Sequence, residues 1–234
     1  MVLLSEAQAH LAASSKEMAA VIAQVGPPQI REPVGDPFSD LARSIVFQQL
    51  ATSAATAIHG RMVEALGGAV KPPAVLEASD GALRAAGLSR SKIASLRDLA
   101  AKVAGGAVRL DDLEPLTDDA IVEHLVKVRG IGPWTAEMFL IFTMRRGDVW
   151  PVGDLGVRVG YARIFGLSEP PTQKELMPSG EPFRPYRTTA AWYCWQANTL
   201  PAHVIEPHGP PNRLTNDGTT TGPVFDSGSA DAEL

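Results

Sequence analysis

Two short stretches carry residues whose types and spacing could do chemistry. In "VRGIGPWTAEM", residues 128–138, Gly130 and Gly132 bracket Ile131 immediately before Pro133 and Trp134. Glycines this close together make a tight turn or let the backbone approach another group, and proline suits the first position of a new helix. Backbone amides at a bend that opens a helix form an anion site, because the first N–H groups lack partners and the helix dipole is positive there. Without Cβ atoms, the two glycines would let a phosphate come close. The same pattern also describes an ordinary tight turn between helices. In the second stretch, "VWPVGDLGVRVG", Asp154 lies between Gly153 and an amphipathic segment. An aspartate there can act simply as a helix N-cap, so both a chemical and a capping role are open.

The elements that must position these residues are helical. Period-2 strand patterns are nearly absent, and helical periodicity with its punctuation recurs along the chain. A first helix is expected from about Ser5, with Gln8 completing its cap, to Pro27-Pro28. Asp36-Pro37 starts the next, with Leu41, Ile45 and Leu50 on one face. "AATAIHGRMVEALGG" stops at Gly67-Gly68, and two short helices lead to one capped by Ser89 and ended by Gly105-Gly106. Thr117 opens a helix with Asp118 and Asp119 in its first turn, as the dipole prefers. The hairpin follows, over about 125–138, then the helix "WTAEMFLIFTMRR", then a loop over about 148–158 that starts a helix near Asp154. A Pro-rich linker (Pro170, Pro171, Pro178, Pro182, Pro185) leads to a last helix over about Tyr186–Thr199. Residues 1–204 are expected to form one helical domain. Residues 205–234, rich in Pro, Gly, Ser, Thr and Asp, are expected to be a disordered acidic tail.

Composition sets limits on partners. The chain has 234 residues, 45% hydrophobic and 20% charged, ordinary for a globular protein. No apolar run approaches a membrane span, and the first residues lack a basic segment followed by an apolar one. A cytoplasmic protein (nucleoid-associated if bacterial), with no membrane partner, is expected. Cys194 is the only cysteine, so neither an intrachain disulfide nor a four-cysteine metal site is possible. No metal or other cofactor is expected. The net charge of −5 is unevenly spread, for residues 206–234 carry five acidic side chains against Arg213. The near-neutral remainder clusters Arg90, Lys92 and Arg97, then Arg145 and Arg146, then Arg158 and Arg163. Such clusters can form a basic face for nucleic acid or be solvated helix faces.

"LVKVRGIGPWTAEMFLIF…DVWPVGDLGVRVG" resembles the helix-hairpin-helix DNA glycosylases, in which the hairpin grips the DNA backbone and an aspartate follows one helix later. "SIVFQQLATSAATAIHGRM" and "AAGLSRSKIASLRDLA" are similar to two further signature stretches of the alkylpurine branch, the 3-methyladenine glycosylase II type. The likeness covers roughly residues 36–200, and the three motifs stand in the family's order. It implies an all-α glycosylase fold, with two helical lobes around a central cleft. The bifunctional glycosylase/lyase members carry a Schiff-base lysine two residues after the hairpin's final glycine, where this chain has Trp134. Lys127 and Lys92 do not substitute for it by position. The four-cysteine cluster of the endonuclease III type is impossible here, and no extra N-terminal β-rich domain is expected.

The resemblance implies a monofunctional enzyme and a set of sites. It would excise N3- or N7-alkylated purines (3-methyladenine, 7-methylguanine) from duplex DNA in base excision repair, and would be expected to act as a monomer. Such bases are cationic and leave readily. The nucleotide must be extruded at a cost of roughly a few kcal/mol, and a carboxylate near the sugar stabilises an oxocarbenium-like state. Asp154 is the candidate catalytic residue. Trp134 and Tyr186 would supply aromatic faces for an electron-poor base. Met138, where some relatives have tyrosine, and Gln48 would complete the substrate pocket. Gly130, Ile131, Gly132, Thr135, Ser89 and Lys92 would contact DNA, and Gln49 or Leu50 would fill the gap left by the flipped base. Trp192 and Trp195, one helical turn apart, are expected to pack the core. The rivals are a non-catalytic helix-hairpin-helix DNA-binding module and a glycosylase of the same fold for other damaged bases.

Overall fold

The computed structural model describes residues 4–30, 35–201, 213–214 and 220–221. In chain order the helices are α1 (Leu4–Ser14), α2 (Lys16–Val25), α3 (Pro37–Phe47), α4 (Thr52–Ala65), α5 (Pro72–Glu77), α6 (Asp80–Ala85) and α7 (Arg90–Ala104), then α8 (Asp118–Leu125), α9 (Pro133–Phe142), α10 (Leu155–Phe165), α11 (Gln173–Ser179) and α12 (Arg187–Ala197). The two-residue strands β1 (Arg213–Leu214) and β2 (Thr220–Thr221) pair antiparallel. The fold is all-α, as the punctuation implies. The rest of the expected disordered tail lies outside the described residues. No helix among the described residues is long and apolar enough to cross a membrane. The chain divides into two compact units, residues 30–149 and residues 1–29 with 150–234.

Residues 30–149 hold α3 to α9. Asp36 caps α3 by accepting from the Ser39 amide at 2.9 Å, and α3 buries Phe38, Leu41 and Ile45. The helix ends before Leu50, which is 40% exposed and does not share that buried face. Ser89 caps α7, which buries Ile93, Leu96 and Leu99 and packs on α5 and α3. Arg97 on α7 fixes α5 and α6 by donating to the carbonyls of Val75, Leu76 and Ala78 and to Asp80. Thr117 caps α8, and the chain then turns through the hairpin into the strongly apolar α9, which packs on α8 and α3. Buried Asp40 accepts from the Thr143 hydroxyl at 2.9 Å, tying α3 to the end of α9.

In the other unit, the expected first helix is two. Ser15 interrupts it by capping α2, its hydroxyl accepting from the Met18 amide at 3.0 Å. Gln8 does not complete a cap at Ser5 but donates to the Tyr193 hydroxyl. That hydroxyl in turn donates to the Gly26 carbonyl at 2.8 Å, and burial raises the pKa of Tyr193. The expected Pro-rich linker contains a helix, α11. Thr172 and Glu175 form a capping box that starts it despite the flanking prolines. The hydrogen bonds from the Thr172 amide and hydroxyl hold the Glu175 carboxyl below its ordinary range. α10 and α12 are the most extensively paired helices of this unit. A Cβ at Gly160 would collide with the Cys194 backbone, so only glycine lets α10 lie this close to α12.

Candidate active site and nucleic-acid interface

The hairpin is built on a division of labour between its glycines. Gly130 has φ +79°, the left-handed region that glycine enters at little cost. A Cβ there would stand 2.5 Å from the hydroxyl oxygen of buried Ser95 on α7. Gly130 is therefore required by the turn itself. Gly132 has φ −98° and ψ 177°, which any residue adopts, and a Cβ there would meet nothing within 4 Å. It sits as the N-cap of α9, with Pro133 following. The first amides of α9 lie at the positive end of the helix dipole.

Ile131 sits between the two glycines. Its side chain is buried and its amide donates to the Val128 carbonyl at 3.1 Å, so it anchors the turn from inside. Thr135 likewise is buried, its hydroxyl receiving the Gln48 amide at 3.3 Å. Gln48 donates as well to the Gly130 carbonyl at 2.9 Å, so this side chain braces the hairpin against the end of α3. Lys92 completes the brace. Its ammonium donates to the carbonyls of Val46 and Gln48 at 2.6 and 2.9 Å, and burial pushes it below its ordinary pKa. Ser89 caps α7 by accepting from the Lys92 amide. Both residues thus act first on the scaffold beneath the hairpin.

Beside the hairpin lies a cavity of about 600 Å³, whose lining includes Phe47, Gln48, Gln49, Trp134, Thr135 and Met138. The sequence-level substrate residues Trp134, Met138 and Gln48 thus share one wall. Trp134 is 44% exposed, unusual for an indole that only packs a helix start. Gln49 is exposed and held at φ +58°, a conformation non-glycine residues occupy at a cost of about 1–3 kcal/mol. Leu50 is not part of the cavity lining.

Asp154 belongs to the other unit, together with Tyr186. It is the N-cap of α10 and is 8% exposed. Its Oδ1 accepts from the Val157 amide at 2.8 Å and from the indole Nε1–H of Trp195 at 2.9 Å. The capping role is real, but a cap needs no second donor from another helix. Trp195 reaches the carboxylate from α12, so it is not the core-packing residue its spacing implied. Trp192 is buried, with its ring edge-on to Tyr193. A Cβ at Gly156 would stand 3.0 Å from both Asp154 Oδ1 and Trp195 Cδ1, so this glycine makes room for the pair. The Asp154 charge and, more strongly, burial raise the pKa of Cys194 on the same helix as Trp195. Tyr186 is the N-cap of α12, half-buried, with the His10 ring edge-on at 5.2 Å.

Residues 42–185 match the family profile described as HhH-GPD superfamily base excision DNA repair protein. The chain belongs to that superfamily. It is 33% identical over 202 residues to DNA-3-methyladenine glycosylase 1 of Schizosaccharomyces pombe, spanning 84% of this chain and 89% of that protein. The solved structure of S. pombe 3-methyladenine DNA glycosylase in complex with abasic DNA superposes with a TM-score of 0.76 at 32% identity, over 84% of this chain and 98% of that one. A DNA-3-methyladenine glycosidase from Bacillus halodurans gives 0.68 at 36% identity, over 78% and 89%. The glycine turn before α9 and Asp154, one helix later, both fall within the matched residues.

Proposed function

We propose that this protein is a monofunctional DNA glycosylase that excises N3- and N7-alkylated purines from duplex DNA and leaves an abasic site. The observation that carries the reading is the Asp154 carboxylate, buried at a helix start and held by both a backbone amide and the Trp195 indole. Two donors on one oxygen fix the direction of the carboxylate. The names of the relatives favour the alkylpurine class.

The chemistry follows from charge. An N-alkylated purine is a cation within the nucleotide, so its glycosidic C–N bond breaks with the electron pair leaving on the base, which departs neutral. The sugar is left as an oxocarbenium ion that Asp154 stabilises. A water oxygen then bonds to the sugar's anomeric carbon and its proton passes to the carboxylate or to solvent. Trp134 offers an aromatic face to the extruded base, with Met138 and Phe47 in the same cavity. Gln49, strained and exposed at the rim, is the better placed of the two candidates to fill the gap in the stack. Trp134 also stands where a lyase would carry its amine, and Lys92 is already committed to two carbonyls. The strand is therefore left uncut.

The test is incubation with methylated DNA and identification of the bases released, with Asp154→Asn in parallel. Release of 3-methyladenine or 7-methylguanine by the native protein and its near-loss in the variant are expected. Duplex binding without any base release would favour the non-catalytic DNA-binding reading.

A further inference from the structure

Unit 30–149 spends most of its cations internally. Arg61 donates to the Ala86 carbonyl, Lys102 to Asp98 and the Lys127 carbonyl, Arg97 to three carbonyls and Asp80, and Lys92 to two carbonyls. Four further cations fall into two pairs. Lys127 and Arg129 stand just before Gly130, both exposed, with Arg129 beside the Asp98 carboxylate. Arg84, near the end of α6, and Arg90, at the start of α7, line one depression of about 390 Å³ with Arg97. The only carboxylate lining that depression is Asp80, and it is held by Arg97 at 2.8 Å. Two unneutralised guanidinium groups beside a third repel one another, and an anionic partner relieves that repulsion.

The depression and the hairpin share a support. Ser95 of α7 touches the Gly130 turn, and Lys92 of α7 holds the carbonyl of Gln48, whose side chain holds Gly130. Arg90 lies five residues before Ser95, about 7–8 Å along the helix axis. That is on the order of two phosphate steps at roughly 3.4 Å of rise per strand. We propose that Arg84 and Arg90 form a second phosphate contact for the duplex backbone, separate from the hairpin and non-specific in sequence. The proposal rests on the DNA-directed reading above, and it assigns a role to residues that reading leaves unused.

The experiment is the double variant R84Q/R90Q, measured for binding to undamaged and single-lesion duplexes over a range of salt. Neither side chain holds the fold, so the melting temperature should stay within about a degree. Loss of two phosphate contacts should lower the slope of log K against log salt by about 1.8, at roughly 0.9 per contact. Affinity should fall about equally for both duplexes, and single-turnover base release at saturating protein should be unchanged. An unchanged slope, in a preparation where Gly132→Ala does weaken binding, would overturn the proposal. So would titration with inorganic phosphate that shows binding lost in R84Q/R90Q while duplex affinity is kept, since that marks a site for a free phosphate. Failure of the native protein to release any base would count against the glycosylase reading alone, because the salt slope is measured independently of turnover.

Discussion

Alanine at the two hairpin glycines should have opposite consequences. At Gly130 the substitution forces a left-handed backbone on a residue with a Cβ, costing roughly 1–2 kcal/mol. The new atom also stands 2.5 Å from the hydroxyl oxygen of buried Ser95, which must move within a packed helix. Overpacking of that kind costs about 1–3 kcal/mol, so the total is about 2–5 kcal/mol. At roughly 2–4 °C per kcal/mol for a chain of this size, Gly130→Ala should melt about 5–15 °C lower. Gly132→Ala meets nothing within 4 Å in an unstrained backbone, so its melt should barely change. There the methyl group would point at whatever approaches the α9 amides, and duplex affinity should fall on damaged and undamaged DNA alike. Thermal melts and binding isotherms on both variants measure this, and Ser95→Ala in the Gly130→Ala background should recover part of the loss. Equal melting losses at both positions, or undiminished affinity in Gly132→Ala, would refute the assignment of one glycine to the turn and the other to the ligand.

Asp154→Asn keeps the cap's shape and its acceptor oxygen but removes the charge, so base release should nearly vanish while duplex binding and the melt are largely kept; full activity would return Asp154 to capping alone. Trp195→Phe deletes the indole donor to Oδ1, a hydrogen bond to a charged group worth roughly 1.5–3 kcal/mol, and single-turnover release should drop by about 10- to 100-fold with little change in affinity. With Trp134 in place of an amine, borohydride should trap no covalent adduct with DNA, and the abasic strand should break only after alkali or heat. Trp134→Ala should slow excision of cationic methylpurines more than that of neutral hypoxanthine, since cation–π attraction of about 0.5–2 kcal/mol is lost only for the former; equal losses with a lowered melt would mean that the indole merely packs.

Helix boundaries were legible at four positions where a side chain caps its own helix. Asp36, Ser89, Thr117 and Asp154 each accept from the amide three residues on, an interaction that four consecutive residues specify. Ser15 and the Thr172–Glu175 box have the same local grammar and were hidden by context, an unbroken apolar period in one case and a crowd of prolines in the other. The hairpin glycines were legible as a turn, but not their inequality. That depends on Ser95, which lies thirty-five residues away in sequence and touches only Gly130.

The partners of Asp154 were invisible for a related reason. Trp195 and Trp192 have the same spacing signature, and only the rotation of α12 against α10 decides which indole meets the carboxylate. That rotation is set by glycines. Gly160 admits the Cys194 backbone against α10, and Gly156 leaves the space in which the Trp195 ring and Asp154 Oδ1 meet. Neither glycine has a positive φ or stands at a turn, so neither announces itself in the sequence; each matters through a side chain it lacks. The Asn198 amide, donating to the Gly156 carbonyl at 2.8 Å, holds the end of α12 to the same turn of α10. The direction of the carboxylate is thus a property of the α10–α12 contact as a whole. Gly160→Ala, remote from any substrate, should disable base release as thoroughly as Trp195→Phe. It should also lower the melting temperature, and by more than the loss of one hydrogen bond in Trp195→Phe does, and a Gly160→Ala protein that melts normally and releases base at the native rate would break this chain of reasoning at its first link.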